Sequence, residues 1–329
     1  MLTMAKNVAT QHFMLGTTFT SFDEMYEAFC LGIGDHVRSF FTDNVVAYTS
    51  HYTLKLDMLR DGCFLLQYML LRTNSRDTMP PSLACYFDSN RVVIDRDIML
   101  LENQLPWVVI QTLRHFKEVP VEKFIAKMAR TLQGRKGNDD DRPFVLDGSC
   151  TPPHLLGLVR FYKIASQTTK FIDMGITKRL FCSEIFLAPL LLDETRLCWL
   201  VNMAAFELCV AAPFSSDTEK HAVCSYLVIL AMLMDHEEDV HKLRSKGLVQ
   251  GELSNKEIPN FFKAIVKHIS GGPLYIRLME EIDDYKLKRW MWIKVHKFIY
   301  KNYKTIAAVL SVVGVLVGIF KALYALKQH

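Results

Sequence analysis

The chain has no C-x-x-C pair, no N-x-[ST] acceptor, and neither G-x-x-x-x-G-K-[ST] nor G-x-G-x-x-G. Without paired cysteines it lacks the ligand spacing of zinc ribbons and the dithiol of thioredoxin-like enzymes. Its eight cysteines, at 30, 63, 85, 150, 182, 198, 209 and 224, are never closer than eleven apart. Scattered among mostly apolar neighbours, they read as reduced thiols of a cytosolic core. The missing glycosylation acceptor agrees with a domain that never enters the secretory lumen, and the missing glycine-rich loops leave nucleotide binding without a motif. The N-terminal MLTMAKNVATQHFMLG has no sustained apolar stretch of the kind a signal peptide needs. Strand signals are few and short, and no internal repeat is visible. One local absence says more: from Lys286 to Lys304 there is no acid.

That segment, KLKRWMWIKVHKFIYKNYK, carries seven cations (Lys286, Lys288, Arg289, Lys294, Lys297, Lys301 and Lys304) interleaved with Trp290, Trp292, Tyr300 and Tyr303. With a net charge of +4 overall, the rest of the chain carries −3. The basicity is therefore local, and a nucleic-acid footprint is not supported. Directly after this collar, Ile306–Phe320 reads IAAVLSVVGVLVGIF without a charge, and the run continues to Leu326 with Lys321 as its one ionised group. At about 1.5 Å per helical residue, Ile306 to Leu326 spans about 31 Å, the thickness of a bilayer core. A buried core helix also accommodates fifteen apolar residues, but it needs no cationic and aromatic collar. The expectation is a single transmembrane helix over 305–326, a basic aromatic juxtamembrane helix over 286–304 and a tail of 327–329. Positive charges ahead of the span place the N-terminal domain in the cytosol, at the plasma membrane or the endoplasmic reticulum. Membrane lipid is then one partner.

Within the span, Ala307, Ser311, Gly314, Gly318, Ala322 and Ala325 recur at an average of 3.6 residues, one straight stripe of small side chains. Val309, Val312, Leu316 and Leu323 occupy the other side. Such a stripe lets two helices approach closely, so a homodimer through the span is one reading; small residues are also simply common in spans.

Residues 1–285 read as a mainly α cytosolic domain. Helical periodicity runs over Ser21–Phe41, Leu54–Leu71, Val121–Leu132, His154–Ile164, Thr195–Val210, Lys220–Met234 and Asp235–Leu243, with Gly247 as a stop. Asn255 is placed to cap a helix over Lys256–Ile269, and a final helix starts near Leu274. Arg91–Asp95 suggests one short strand, with helix again from Asp97. The stretch from about 133 to 143 (QGRKGNDDDRP) has the glycines and charge of a linker, and its Asp139–Asp141 triplet reads as solvated loop.

Candidates for chemistry are few. Leu100–Trp107 sets Glu102, Asn103 and Gln104 among leucines ahead of Pro106. A carboxylate with two amides suits an acid–base or ligand site. The same amides suit a side-chain-to-backbone lock across the proline, which removes an N–H and disrupts the preceding turn. His236 and His241 miss the H-E-x-x-H spacing by one residue, so Glu237–Asp239 read as an acidic helix start instead of a metal site. Gly148-Ser149-Cys150, with Asp147 and His154 nearby, lacks G-x-S-x-G; His154 reads as a helix start packed on the core. No catalytic residue, metal site or cofactor is expected.

Several segments together resemble a plant family, domain of unknown function 247. Asp61-Gly62-Cys63-Phe64 looks like its D-G-C-F element, and Leu101-Glu102-Asn103-Gln104 with Pro106 like its L-L-E-N-Q-[IL]-P. His154-Leu155-Leu156 matches its H-L-L, Asn202 with Ala205-Phe206-Glu207 its N-x-x-A-F-E, and Glu238-Asp239-Val240 its E-D-V. The family's N-terminal G-P-Y-H element is absent, which suggests a shortened member. The resemblance implies a C-terminally anchored plant membrane protein; some grass members are implicated in self-incompatibility. We therefore expect a non-catalytic, membrane-tethered recognition or signalling protein acting through protein partners. The alternatives are a membrane-surface enzyme and a structural tether for a cytosolic protein.

Overall fold

The computed structural model describes residues 1–35, 40, 50–73, 79–133, 152–165, 174–178, 183–210 and 221–326. The remainder of the 133–143 linker beyond Gln133, the Asp139–Asp141 triplet and the Asp147–Cys150 segment lie outside them. The chain divides into two units, Met1–Ile276 and Arg277–His329. It is mainly α, as the periodicity predicts.

The first unit is built on α3 (His51–Arg72), whose residues Gly62 through Met69 are all buried. A helix buried on every side is a central helix. Around it pack α1 (Leu2–Leu15), α2 (Phe22–Ile33), α6 (Trp107–Phe116) and α7 (Val121–Gln133). Rings join the layers: Phe87 of α4 (Pro81–Ser89) lies 5.0 Å from Phe64 and 5.3 Å from Tyr68, both edge-on. Gly62 lets α3 approach α6, because a Cβ there would sit 2.4 Å from Leu113 Cδ1 and 3.1 Å from Val109 Cγ1. A second hub is α9 (Glu194–Val210), packed on α5 (Arg91–Asp97), α8 (Leu155–Ala165) and α10 (Ala222–Leu233). Beyond α10 come α11 (Glu237–Ser245) and α12 (Glu257–Ile265). Among the described residues there are two small sheets: β1 (Gly175–Lys178) pairs antiparallel with β2 (Ser183–Phe186), and β3 (Leu190–Leu191) parallel with β4 (Val249–Gln250).

Several expected boundaries move. Ser21–Phe41 does not run as one helix: α2 stops at Ile33 because Gly34 takes φ 66°, a conformation no α-helix contains. Arg91–Asp95 is helical, not a strand. Its Val92 and Val93 stay exposed while Ile94 is buried, and Trp199 Nε1 donates to Asp95 O at 2.8 Å. Tertiary contacts there override the β-branched run. Ser254 and Glu257, not Asn255, close the start of α12: Glu257 N donates to Ser254 Oγ and Ser254 N to the Glu257 carboxylate. That helix ends at Ile265, ahead of the glycines.

The second unit contains most of α13 (Pro273–Lys301) and all of α14 (Tyr303–Leu326), separated at Asn302, whose side-chain amide donates to Phe298 O at 2.9 Å. Lys294 Nζ stands 3.9 Å from the Trp290 ring centre. Among the described residues, no helix is long and apolar enough to cross a membrane; side chains beyond Ile319 lie outside the description.

Gly62→Ala is expected to destabilise the first unit. Overpacking costs about 1–3 kcal/mol, and alanine's better helix propensity returns about 1 kcal/mol. Chemical denaturation of the variant against wild type measures the difference, and a midpoint equal to or above wild type contradicts the close approach.

Candidate functional site

Three of the motif segments meet at α9. Trp199, Asn202 and Phe206 follow one another at intervals of three and four, which puts them on one side of a helix, with Glu207 about 100° further round. Each holds a different neighbour. Trp199 bonds the last turn of α5, as above. Asn202 Oδ1 accepts from Leu101 N at 2.8 Å, while its amide donates to Cys198 O at 2.8 Å. The Phe206 ring lies edge-on to His154, centres 4.7 Å apart. Glu207, with its side chain fully buried, accepts from Arg160 Nε at 2.8 Å, Val223 N at 2.9 Å and Cys224 N at 2.8 Å. Its carboxylate therefore caps the start of α10 and pairs with a guanidinium of α8. Helix N-termini carry unpaired N–H groups and favour anions, so this is a stable place for a buried charge.

Leu101–Asn103 forms one 3-10 turn, and the chain is extended at Gln104. Gln104 uses all of its amide: Nε2 donates to Ile98 O at 2.9 Å and Leu100 O at 2.7 Å, and Oε1 accepts from Leu156 N at 2.9 Å. Asn103 is exposed, and among the described residues its side chain makes one bond, to Asp97 O at 3.1 Å. Pro106 is buried, and the next residue, Trp107, donates its N–H to Pro153 O at 2.8 Å. His154 Nδ1 accepts from Gly157 N at 3.1 Å. The start of α8 is thus capped by two side chains, Gln104 and His154. Burial pushes the His154 imidazole down from 6.5 to about 4, so it sits neutral with its unprotonated Nδ1 toward the helix.

Residues 1–171 and 159–317 match DUF247, described as plant protein of unknown function. The chain belongs to this family. It is also similar to the UPF0481 protein At3g47200 of Arabidopsis thaliana, 24% identical over 294 residues, covering 71% of this chain and 58% of that protein. The chain thus spans somewhat over half the length of that relative. No solved structure matches it.

The family's D-G-C-F element turns its residues in different directions around α3. Asp61 pairs with Lys6 of α1 at 2.5 Å, and Gly62 faces α6. Cys63 is fully buried, and burial raises its thiol pKa, so it stays protonated and inert. Phe64 reaches a pocket of about 410 Å³ that Asp61, Glu102, Asn103 and Gln104 also line. Two motif segments forty residues apart in sequence therefore share one cavity. Asp239 lies away from it, at the start of α11, where it accepts from His236 N at 3.3 Å and pairs with Lys242. Ala307, Ser311, Gly314 and Gly318 belong to α14 and are exposed; the side chains of Ala322 and Ala325 are outside the description. Sequence reasoning passed over Arg160, Trp199, Lys6 and Asp57. The one available signal was the spacing of Trp199 from Asn202, which extends the polar face of α9 by a turn.

The bonding ranks three substitutions. Glu207→Ala strips two helix N–H groups and Arg160 of their carboxylate and is expected to cost about 3–5 kcal/mol. Gln104→Ala, which leaves three part-buried main-chain partners unanswered, costs about 1–3 kcal/mol. Asn103→Ala, exposed with one bond, costs about 0.5 kcal/mol. Denaturant midpoints in a different order contradict these roles. His154 supplies a pH test. Its folded pKa is below its unfolded value, so between about pH 6.5 and 4 the unfolded chain gains a proton that the native state refuses. Stability from this group is complete above that window and falls as pH drops through it. His154→Asn keeps an acceptor but does not titrate; its melting temperature should fall less than that of wild type over the same window.

Proposed function

We propose that this family member is a non-catalytic, membrane-tethered recognition or signalling protein that works through protein partners. The observation that carries the tether is α14, a 24-residue helix reading YKTIAAVLSVVGVLVGIFKALYAL. From Ala307 to Ile319 every side chain is exposed, including Val309 at 56%, Leu310 at 65% and Val312 at 59%. A helix that is apolar on all sides is stable only when something apolar surrounds it, and a bilayer does so. The described side chains stop at Ile319, but the sequence stays apolar to Leu326 with Lys321 as its one charge, and at about 1.5 Å per residue Ile306 to Leu326 spans about 31 Å, the thickness of a hydrocarbon core. The seven cations before it favour an N-terminal domain on the cytosolic side. Self-association along the stripe from Ala307 to Ala325 belongs to the same reading, since close helix approach in lipid needs small residues.

The motif chemistry supports a non-catalytic domain. Gln104, Asn202, Glu207 and His154 all bond main-chain groups, and the Cys63 thiol is held protonated. A membrane-surface enzyme is the second reading, favoured by the pocket beside Glu102. Against it, Glu102 is exposed and has no hydrogen-bond partner among the described residues to orient it.

Deleting residues 304–329 is expected to release the protein into the soluble fraction, whereas the intact chain resists both high salt and carbonate. The collar alone contributes only about 1 kcal/mol per cation at an anionic surface, and salt screens it. Release of the intact chain by salt excludes a span. Proximity labelling from the N-terminal domain should in the same cells recover a reproducible set of proteins.

A further inference from the structure

We infer that the pocket between α1, α3, α5 and the Leu101–Asn103 turn is a docking site for a basic, amphipathic peptide segment of a protein partner. This rests on the recognition reading above and gives it a ligand class. The pocket has an apolar floor made by Leu54, Met58, Phe64, Ile94 and Leu155. Its rim holds Asp57, Asp61, Asp97 and Glu102 against one cation among the described residues, Lys6. Lys6 is already engaged by Asp61 at 2.5 Å, and Asp97 has Arg96 at 3.4 Å. Asp57 and Glu102 are exposed at the rim and have no ion-pair partner among the described residues. The rim carries an excess of negative charge, the floor is hydrocarbon, and the volume of about 410 Å³ falls in the range of small-ligand sites.

Charge and shape together specify the occupant. An acidic or phosphorylated ligand would be repelled by the rim, and a purely apolar one would leave the carboxylates unanswered. A Lys or Arg side chain lays its stem along apolar surface and keeps its charge at the edge, which suits a floor of this kind under a rim of this kind. The carboxylates come from three elements, Asp57 and Asp61 from α3, Asp97 from α5 and Glu102 from the turn. Charges spread over three elements are met by cations spaced along a peptide, with an apolar side chain between them seated on the floor. Rim pairs of this type mainly set encounter rate and partner choice, and they weaken with salt. The Gln104 bonds fix one wall, so the pocket is preformed and a ligand need not build it.

The test uses the full chain in nanodiscs of zwitterionic phosphatidylcholine and fluorescent peptides read by anisotropy. One peptide combines leucine with arginine; its twin carries glutamate for arginine. The arginine peptide should bind and the glutamate twin should not compete with it. Asp57→Asn with Glu102→Gln, both exposed and outside the hydrogen-bond lock, should weaken the arginine peptide roughly three- to tenfold with an unchanged melting temperature. Asp57→Lys with Glu102→Lys should transfer preference to the glutamate twin. Binding that the rim substitutions leave unchanged, whichever peptide shows it, overturns the site. Displacement by hexylamine as effective as by the unlabelled arginine peptide overturns the peptide occupant in favour of a small amine. If the proximity-labelled partners survive the double neutral substitution, the docking site is wrong while the recognition reading stands; if no reproducible partners are found at all, the reading itself fails.

Discussion

A fully buried carboxylate is stable only where hydrogen bonds and an opposite charge replace the water it has lost. Glu207 satisfies that condition by joining three helices: it sits on α9, pairs with Arg160 of α8 and accepts the N–H groups of Val223 and Cys224 at the start of α10. Moving any one of the three exposes the other two to the cost of an unanswered charge or unpaired donors. Glu207 therefore ties α8, α9 and α10 to one another. Other side chains of α9 hold further neighbours, with Phe206 against His154, Asn202 on the Leu101 amide and Trp199 on the end of α5.

A common device recurs at both helix starts. The first N–H groups of α8 are answered by Gln104 and His154, and those of α10 by Glu207, so the capping groups of both helices include side chains from distant segments. This couples helix formation to tertiary assembly: each helix is fully capped only when its partner segment is in place. Ahead of Pro106, Gln104 answers the Ile98 and Leu100 carbonyls and the Leu156 N–H through its side chain, so the turn is tied both to the end of α5 and to the start of α8. Holding that turn clear of α3 leaves the pocket between them, with Asp61 and Phe64 on one wall and Glu102 on another. A structural lock and a binding surface are in this way the same few residues.

Periodicity alone placed α3, α7, α9 and α10 within a few residues, because each has an apolar face or an apolar circumference that only a helix buries. Where it failed, a single backbone or tertiary feature decided. Gly34 ended α2 through a positive φ, and Trp199 held Arg91–Asp97 as helix although Val92 and Val93 favour a strand. The short β1–β2 and β3–β4 pairs had no sequence signal beyond an apolar stretch, since two to four residues are too few for an alternation to show. The amides of Leu100–Trp107 were visible as unusual, and both a lock and a ligand site were open. Their actual partners, Ile98, Leu100 and Leu156, are main-chain groups whose position no side-chain pattern encodes.

By itself, then, the sequence determined the helical class, the family, the charge-free run after a cationic collar and the residue types that meet in the core. Those properties depend on composition and local spacing, which a linear reading contains in full. Only the tertiary structure decided that Glu207 caps α10, that Asp61 and Glu102 face one pocket, and that Cys63 and His154 are held uncharged. These depend on which surfaces exclude water and which distant N–H groups come within 3 Å of a side chain, and distance in space between segments far apart in sequence is what a linear pattern leaves out.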